Sequence, residues 1–277
     1  MTTPPTPAPG WQRWTTLAAI GAVGGVLSGA MGVGGGILMV PLLLALARMD
    51  ERRAATTSLA AIVPAALVGS ASYLARGQAD LSLAAALAVG GMAGSLIGTR
   101  LLHRIPLPTL RWMFVGLLVL VAVRMALSVP ARGTSLELTP LLVLPLLGVG
   151  VFMGIASGLF GIGGGVIVVP ALILLFGVDD LLAKGTSLLV MLPTAALGTV
   201  VNARAGQVDL REGVAVGLPA TMMSFVGVAV AFVLPARTAA VVFAALLVVA
   251  AVRLATVALR GGRRDRPTDP LAGPGAG

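Results

Sequence analysis

The sequence predicts an all-α polytopic membrane protein made of two inverted repeats, each a glycine-broken helical hairpin plus three transmembrane helices. Three observations lead to this prediction. Hydrophobic residues make up 57% of the chain and charged residues only 10%, whereas soluble domains carry about a quarter charged residues. The segment SGAMGVGGGILMVP at 28–41 returns as SGLFGIGGGVIVVP at 157–170. The positive charges are also distributed unevenly between the loops.

The repeat extends well beyond the glycine motif at a constant offset of 129 residues. The same offset pairs TSL at 57–59 with TSL at 186–188, and GQAD at 77–80 with GQVD at 206–209. The predicted domains are a disordered tail at 1–13, repeat 1 at 14–129, a linker at 130–137, repeat 2 at 138–259 and a disordered basic tail at 260–277. Both tails are rich in proline, which is typical of disorder.

Each repeat contains four hydrophobic blocks, and a helix needs roughly 20 apolar residues to cross the hydrocarbon core. The blocks cover 14–47, 56–75, 81–102 and 107–129 in repeat 1, and 138–177, 185–203, 210–234 and 236–259 in repeat 2. The first block of each repeat is too long for one simple span and carries three consecutive glycines. It either crosses once, which makes the repeats parallel, or folds back as a hairpin, which makes them inverted.

The positive-inside rule favours the hairpin. With the C-terminus inside, the hairpin puts 14 of the 19 Lys and Arg residues inside and 5 outside, whereas a single crossing gives 11 and 8. Both termini are therefore predicted on the cytoplasmic side. The net charge of +9 does not indicate nucleic-acid binding, because the arginines are dispersed between apolar segments and clustered beyond the last one.

Three glycines inside an apolar stretch predict a helix break, because glycine adopts backbone conformations that other residues avoid. Such a break is tolerated at membrane depth only where protein or water covers it. The next helix would start at Ile37 or Val166 with free N–H groups that attract anions. Tight helix packing is the structural alternative, but recurrence beside TSL favours a binding site. Inverted symmetry would bring both breaks and both TSL segments toward one anion site between the two repeats. The predicted substrate-binding residues of this site are Gly34, Gly35, Gly36, Thr57, Ser58, Gly163, Gly164, Gly165, Thr186 and Ser187.

Two further equivalent pairs are possible path-lining residues, namely Tyr73 with Asn202 and Arg124 with Arg253. Snorkelling of the arginines, and hydrogen bonds from Tyr73 and Asn202 to a neighbouring helix, are the alternatives. A cation transporter usually has an intramembrane acid, and none is evident in the blocks, so we predict a small anionic substrate. No His/Cys/Asp cluster has metal-ligand spacing, and no Lys-Ser/Thr follows the glycines. We therefore predict no enzyme activity, no metal and no cofactor.

The motif G-x-G-G-G-x-x-x-V-P in both halves, followed by TSL and G-Q-x-D, resembles the TauE/SafE sulfite exporter family of membrane permeases. The resemblance covers residues 21–259. It places the family's glycine motif on Gly32, Gly34, Gly35, Gly36 and Pro41, and on Gly161, Gly163, Gly164, Gly165 and Pro170. It implies an inner-membrane secondary transporter, an exporter of sulfite or organosulfonates, with the proton gradient as its suggested energy source. A passive anion channel and a non-transporting assembly partner remain as alternatives, and the exact substrate, the transport direction and the oligomeric state stay open.

Overall fold

The structure is a computed structural model that describes residues 10–102, 104–127 and 139–264. In these residues the regular structure is helical. The helices are α1 (Gly10–Met31), α2 (Gly36–Ala45), α3 (Glu51–Leu74), α4 (Leu81–Leu102), α5 (Leu107–Leu127), α6 (Pro140–Phe160), α7 (Gly165–Phe176), α8 (Asp180–Arg204), α9 (Leu210–Val233) and α10 (Ala236–Arg264). The predicted all-α fold is confirmed. The predicted linker, residues 1–9 and residues 265–277 lie outside the described residues.

Both repeats have the same order of elements: a long helix, a glycine break, a short helix and three further helices. The short helices α2 and α7 each contain an internal proline, Pro41 and Pro170. Helix α1 begins at Gly10 and α10 continues to Arg264, so both helices extend into segments predicted as tails.

Helices α1 and α2 form a hairpin. A Cβ at Gly35 would lie 2.1 Å from the carbonyl oxygen of Gly24, so the chain turns back along α1 after the break. Helix α3 then begins at the same end as α1, because Arg13 and Arg53 both bind Glu212 at the start of α9. We call the end of the bundle where α1, α3 and α9 begin the arginine end.

The opposite end is where α4 and α8 begin. There the backbone N–H of Asp80, just before α4, donates to the hydroxyl of Thr186 in the second turn of α8. Farther along the same two helices, the hydroxyl of Ser95 donates to the carbonyl oxygen of Thr194. Helices α4 and α8 therefore run in the same direction.

Two glycine seams join the repeats, α1 packing on α9 and α4 packing on α6. Gly21, Gly25 and Gly29 face Val216, Ala220 and Ser224 in turn, and Gly90, Gly94 and Gly98 face Leu147, Val151 and Ile155. A Cβ at any of these six glycines would lie 2.0 to 2.3 Å from a carbonyl oxygen of the partner helix. Small residues four apart let helix backbones approach this closely. The contacts advance in the same direction, so the helices of each seam are parallel.

The equivalent helices α3 and α8 cross antiparallel at the centre of the bundle. Leu59 lies against Gly198, whereas Tyr73, farther along α3, lies against Gly185, which is earlier in α8. Equivalent helices that run in opposite directions are the arrangement expected of inverted repeats. The inversion of the two repeats in a membrane stays a prediction.

Six of the described helices are long and apolar enough to cross a membrane, namely α1, α3, α4, α6, α8 and α9. Helices α1 and α6, predicted as arms of hairpins, are therefore long enough for a span of their own. The apolar helices Gly36–Ala45, Gly165–Phe176 and Ala236–Val252 are shorter. Helix α3 is the most buried of the six, because 67% of its apolar 18-residue stretch is buried. The protein is thus a multi-helix membrane protein with α3 at its centre.

Candidate functional site

Both predicted glycine breaks occur as sharp turns between helices. Gly34 and Gly35 have φ values of 74° and 70°, and Gly163 and Gly164 have values of 73° and 81°. This left-handed region is accessible to glycine and costly for residues with a side chain. The N-cap residues Gly35 and Gly164 supply no side-chain cap. The first N–H groups of α2 and α7 therefore have no acceptor within their own helix.

The two breaks lie against each other in the interior of the bundle. A Cβ at Gly36 would lie 2.7 Å from Cα of Ile162, and a Cβ at Gly165 would lie 2.7 Å from Cα of Val33. These two contacts are equivalent under the repeat, because 129 residues separate Gly36 from Gly165 and Val33 from Ile162. The structure therefore brings the two predicted glycine sets together.

Each break also packs on the TSL helix of the other repeat. A Cβ at Gly32 would lie 2.5 Å from Cα of Lys184 in α8, and a Cβ at Gly161 would lie 2.4 Å from Cα of Ala55 in α3. The break 1 site is defined as residues 32–36 with Lys184, Thr186 and Ser187, and the break 2 site as residues 161–165 with Ala55, Thr57 and Ser58. Each break thus packs on the helix of the other repeat that carries the TSL hydroxyls.

Two apolar residues pack against both breaks. Ile62 of α3 and its equivalent Met191 of α8 both lie within 3.3 Å of the Cβ positions of Gly34 and Gly163. Both side chains are fully buried. They fill the interior beside the two breaks with apolar side chains.

The two TSL segments lie on opposite sides of this apolar pair. Gly185, directly before the second TSL segment, lies against Tyr73 at the far end of α3. Thr57 is at the near end of the same helix, so the two segments are about 24 Å apart at a rise of 1.5 Å per residue. The structure therefore brings Thr57 and Ser58 near one break and Thr186 and Ser187 near the other.

Four fully buried residues have a hydroxyl with no hydrogen-bond partner among the described residues: Ser28, Thr57, Ser58 and Ser157. All four residues are 0% exposed. A fifth buried hydroxyl without a partner belongs to Thr199, which is half-buried. A buried hydroxyl left unpaired costs about 1–3 kcal/mol, and folded proteins normally satisfy such groups. These hydroxyls are therefore available to a ligand or to water.

Ser28 and Ser157 were missed as candidate site residues by the sequence analysis. Each stands in the last turn before a break, where its carbonyl oxygen accepts the N–H of Gly32 or Gly161 at 2.9 Å. The sequence did contain a signal, because these serines are the first residues of the two matching segments.

The hydroxyls of the break 1 site differ from those of the break 2 site. Thr186 accepts the backbone N–H of Asp80 at 3.0 Å, and the hydroxyl of Ser187 points to the sulfur of Met191 at 4.0 Å. The equivalent hydroxyls of Thr57 and Ser58 are the unpaired ones. The two sites therefore share a backbone arrangement and differ in their side chains.

The break 1 site contains one residue of a buried charge pair that was not predicted. Lys184 is 2% exposed, and its Nζ donates to Oδ2 of Asp180 at 2.6 Å. The sequence analysis counted Lys184 only as one of the positive charges of the loops. In the structure Asp180 is the first residue of α8 and Lys184 lies one turn further on. The sequence did contain a signal for the burial of Lys184, because this residue directly precedes GTSL, which includes the second TSL motif.

The possible path-lining residues have different surroundings. Tyr73 is buried and donates its hydroxyl to the carbonyl oxygen of Gly29 at 2.8 Å, which ties α3 to α1. Asn202 is buried and donates from Nδ2 to the carbonyl oxygen of Gly198 at 2.8 Å, and its Oδ1 has no partner among the described residues. Arg124 lies in α5 and Arg253 in α10, and their side chains lie outside the described residues.

The two ends of the bundle have equivalent pockets with different charge. The pocket at the arginine end has a volume of about 720 Å³ and is lined by Arg52, Arg53, Arg211, Asp50 and Asp209, among others. The pocket at the opposite end also measures about 720 Å³ and is lined by Gln78, Asp80, Asp179 and Leu182, among others. Its lining residues include acids and leucines but no arginine. The two pockets therefore present different electrostatic environments to a charged solute.

An ion-pair cluster connects α1, α3 and α9 at the arginine end. The buried carboxylate of Glu212 accepts Nε and Nη2 of Arg53 at 2.9 and 2.8 Å and also binds Arg13. The equivalent positions in the other repeat are Leu83, Leu182 and Leu142. The cluster therefore joins the starts of three helices at this end only.

Comparison with known proteins gives a consistent result. The model of the family described as "Sulfite exporter TauE/SafE" matches residues 2–125 and 146–277. The chain belongs to the TauE/SafE family. The family assignment confirms the resemblance that the paired glycine motifs indicated.

Related proteins of known sequence are named as transporters. The chain is 29% identical over 192 residues to "Probable membrane transporter protein YdhB" of Bacillus subtilis (strain 168), covering 67% of this chain and 77% of that protein. It is 24% identical over 221 residues to "Probable membrane transporter protein YunE" of the same organism, covering 72% and 81%. A "Probable membrane transporter protein" of Xylella fastidiosa (strain 9a5c) is 31% identical over 201 residues, covering 70% and 75%. Together with the six apolar helices, these likenesses make this TauE/SafE protein a membrane transporter.

Proposed function

We propose that this TauE/SafE protein is a secondary transporter that exports small sulfur-containing anions, such as sulfite or organosulfonates, across the cytoplasmic membrane. The observation that carries the proposal is the set of unpaired buried hydroxyls beside two glycine-made helix starts. Sulfite and sulfonates present several oxygen acceptors on one small group. Such a group matches converging N–H and O–H donors in a protein interior.

The electrostatics of the breaks support an anionic substrate. A helix start carries a partial positive charge and free N–H groups, which bind oxyanions in many proteins. The starts of α2 and α7 meet inside the bundle, where water does not compete fully with their donors. The hydroxyls of Thr57 and Ser58 at the break 2 site, and that of Ser157 in the turn before it, add side-chain donors.

The orientation of the chain in the membrane is part of the proposal. The antiparallel course of α3 and α8 supports inverted repeats. Most described arginines lie at the arginine end, namely Arg13, Arg48, Arg52, Arg53, Arg100, Arg104, Arg204 and Arg211. Arg76, Lys184 and Arg237 lie at the opposite end. Positive charge is retained on the cytoplasmic side, so we assign the arginine end, and with it both chain termini, to the cytoplasm.

A carrier explains the interior better than a channel does. Ile62 and Met191 fill the interior between the two TSL segments, and both are fully buried. A channel needs a continuous polar path, whereas a carrier exposes its site to one side at a time. The pocket at the arginine end, which is lined by Arg52, Arg53 and Arg211, would attract anions from the cytoplasm toward the break 2 site. Loading of the site from the cytoplasm supports export.

Flux through the purified protein tests the proposal. The protein is reconstituted into liposomes, and uptake of labelled sulfite and sulfoacetate is measured with and without an imposed pH gradient. We expect uptake that saturates and is accelerated by the gradient, since protons are the proposed coupling ion. Uptake that does not saturate would indicate a passive channel. No uptake of either anion would contradict the proposed substrate class and favour a non-transporting assembly role.

A further inference from the structure

Lys184 is a buried cation inside a membrane protein. It is the only lysine in the sequence. Its side chain is 3% exposed and its recorded ionic partner is Asp180, with Nζ to Oδ2 at 2.6 Å. Ionisable groups inside membrane proteins are costly and mark substrate or ion pathways by default. The location of Lys184 therefore decides whether it has such a role.

Lys184 lies at the head of a row of side chains that faces break 1. Lys184, Ser187 and Met191 recur at intervals of three and four residues, so they share one face of α8. The two ends of this row contact the glycines of the break, because Lys184 packs on Gly32 and Met191 packs on Gly34. Lys184 therefore lies between Met191 and the opposite end of the bundle.

The packing of the break does not require a lysine. The equivalent position in repeat 1 is Ala55, which packs on Gly161 as Lys184 packs on Gly32. A buried ion pair contributes little net stability, because desolvation offsets most of the attraction between its charges. Burying this charge beside a single break is therefore better explained by a ligand than by stability.

We propose that Lys184 is an anion-binding residue of the break 1 site. Its ammonium pairs with Asp180 in this structure and turns to the oxygens of the anion when the anion passes Met191. The flexible four-carbon stem of lysine permits this exchange of partners. The proposal rests on the proposed function, since it assigns a ligand within the same transport path. It also makes the break 1 site selective for doubly charged anions, such as sulfoacetate, over singly charged ones.

The test uses a double variant, because removing the lysine alone leaves Asp180 buried without a partner. Lys184→Met with Asp180→Asn removes both charges and keeps similar volumes. Binding of sulfoacetate and of methanesulfonate, a dianion and a monoanion, is measured on the purified protein in detergent. Arg237→Gln is the matched control, since it removes an exposed cation from the same end of the bundle. The thermal unfolding midpoint is recorded for every variant.

We expect the double variant to bind sulfoacetate about ten- to hundredfold more weakly, as for loss of a charge-assisted hydrogen bond. Methanesulfonate affinity should fall less, Lys184→Arg should retain part of the sulfoacetate affinity, and Arg237→Gln should be close to the unchanged protein. Unchanged sulfoacetate binding in a folded double variant would overturn the role of Lys184. An equal loss in Arg237→Gln would overturn it too, because the effect would then be general electrostatic attraction. Absence of binding by the unchanged protein would instead contradict the proposed function.

Discussion

At the scale of single residues, neighbouring hydroxyls of helix α3 differ in whether they have a hydrogen-bond partner, although their residue types are similar. Thr57 and Ser58 are buried without partners, whereas Thr56, one residue earlier, donates to the carbonyl oxygens of Arg53 and Gln207 at 3.1 and 2.9 Å. The first group costs stability in the unliganded protein, and the second contributes to it. Stability and binding can therefore be separated by neighbouring substitutions.

Ser58→Ala should leave the thermal unfolding midpoint unchanged or higher, because it removes an unsatisfied group. The same change should weaken anion binding by about two- to tenfold, the value of one neutral hydrogen bond. Thr56→Ala should show the reverse, a lower midpoint with little change in affinity. Both quantities can be measured on purified protein in detergent with sulfite as the ligand. A lower midpoint with unchanged affinity for Ser58→Ala would show that this hydroxyl is structural.

The glycines of the breaks allow a similar comparison. Gly35→Ala places a Cβ 2.1 Å from the carbonyl oxygen of Gly24 at a φ of 70°, so we expect loss of transport together with a lower unfolding midpoint. Gly77 has a similar φ of 66° but nothing within 4 Å of its Cβ position. Gly77→Ala should therefore show only the backbone cost of about 1–2 kcal/mol, with transport retained. If Gly35→Ala supports sulfite uptake at the normal rate, the close packing at this break has no role in transport.

At the scale of helices, the ion-pair cluster around Glu212 joins a buried carboxylate to two half-exposed arginines at the arginine end. The carboxylate of Glu212 is 4% exposed, whereas the side chains of Arg13 and Arg53 are 46% and 42% exposed. Water can solvate the arginines if the glutamate is lost, but it cannot solvate the glutamate if the arginines are lost. The cost of breaking the cluster should therefore depend on which partner is removed.

Replacing both Arg13 and Arg53 with Gln should destabilise the protein by about 3 kcal/mol or more, because the carboxylate is left buried and unpaired. Glu212→Leu should cost less, since leucine is the residue at the equivalent position, Leu83. Thermal unfolding in detergent ranks the two variants. If Glu212→Leu proves the more damaging of the two, burial of the carboxylate is not what controls stability here.

The sequence predicted the elements better than it predicted their partners. The triple glycines marked both breaks, and the breaks occur at the expected residues, because a local run of glycines dictates a local backbone conformation. The burial of Lys184 was missed because it depends on a loop more than a hundred residues away. A Cβ at the next residue, Gly185, would lie 1.9 Å from the carbonyl oxygen of Gln78, so the GQAD loop covers the start of α8. The pairing of each break with the TSL helix of the other repeat was missed for the same reason.

At the scale of the whole molecule, the two repeats can be compared residue by residue across the membrane. Ala75 and Ala205 are exposed and directly follow α3 and α8. They lie at opposite ends of the bundle, because α3 and α8 are antiparallel. Since the sequence contains no cysteine, a single introduced cysteine reports the side of the membrane on which it lies.

Ala75→Cys should react with an impermeant thiol reagent added to intact cells, and Ala205→Cys should react only after the membrane is opened. Both changes replace an exposed alanine at a helix end, so neither should alter folding. Reaction of both cysteines from the same side would rule out inverted repeats. Reaction with the sides exchanged would keep the inversion and reverse the assignment of the arginine end.

The glycine seams also set an order of events during synthesis. The glycine face of α1 packs on α9, which leaves the ribosome only after the seven described helices α2 to α8. Until α9 is inserted, the exposed backbone along this face of α1 has only lipid, or a helper protein of the insertion machinery, beside it. In a chain that stops before α9, the glycine face of α1 therefore stays without its partner helix, even when repeat 1 is fully formed. Truncated products should consequently be removed by membrane proteases rather than accumulate as half-transporters.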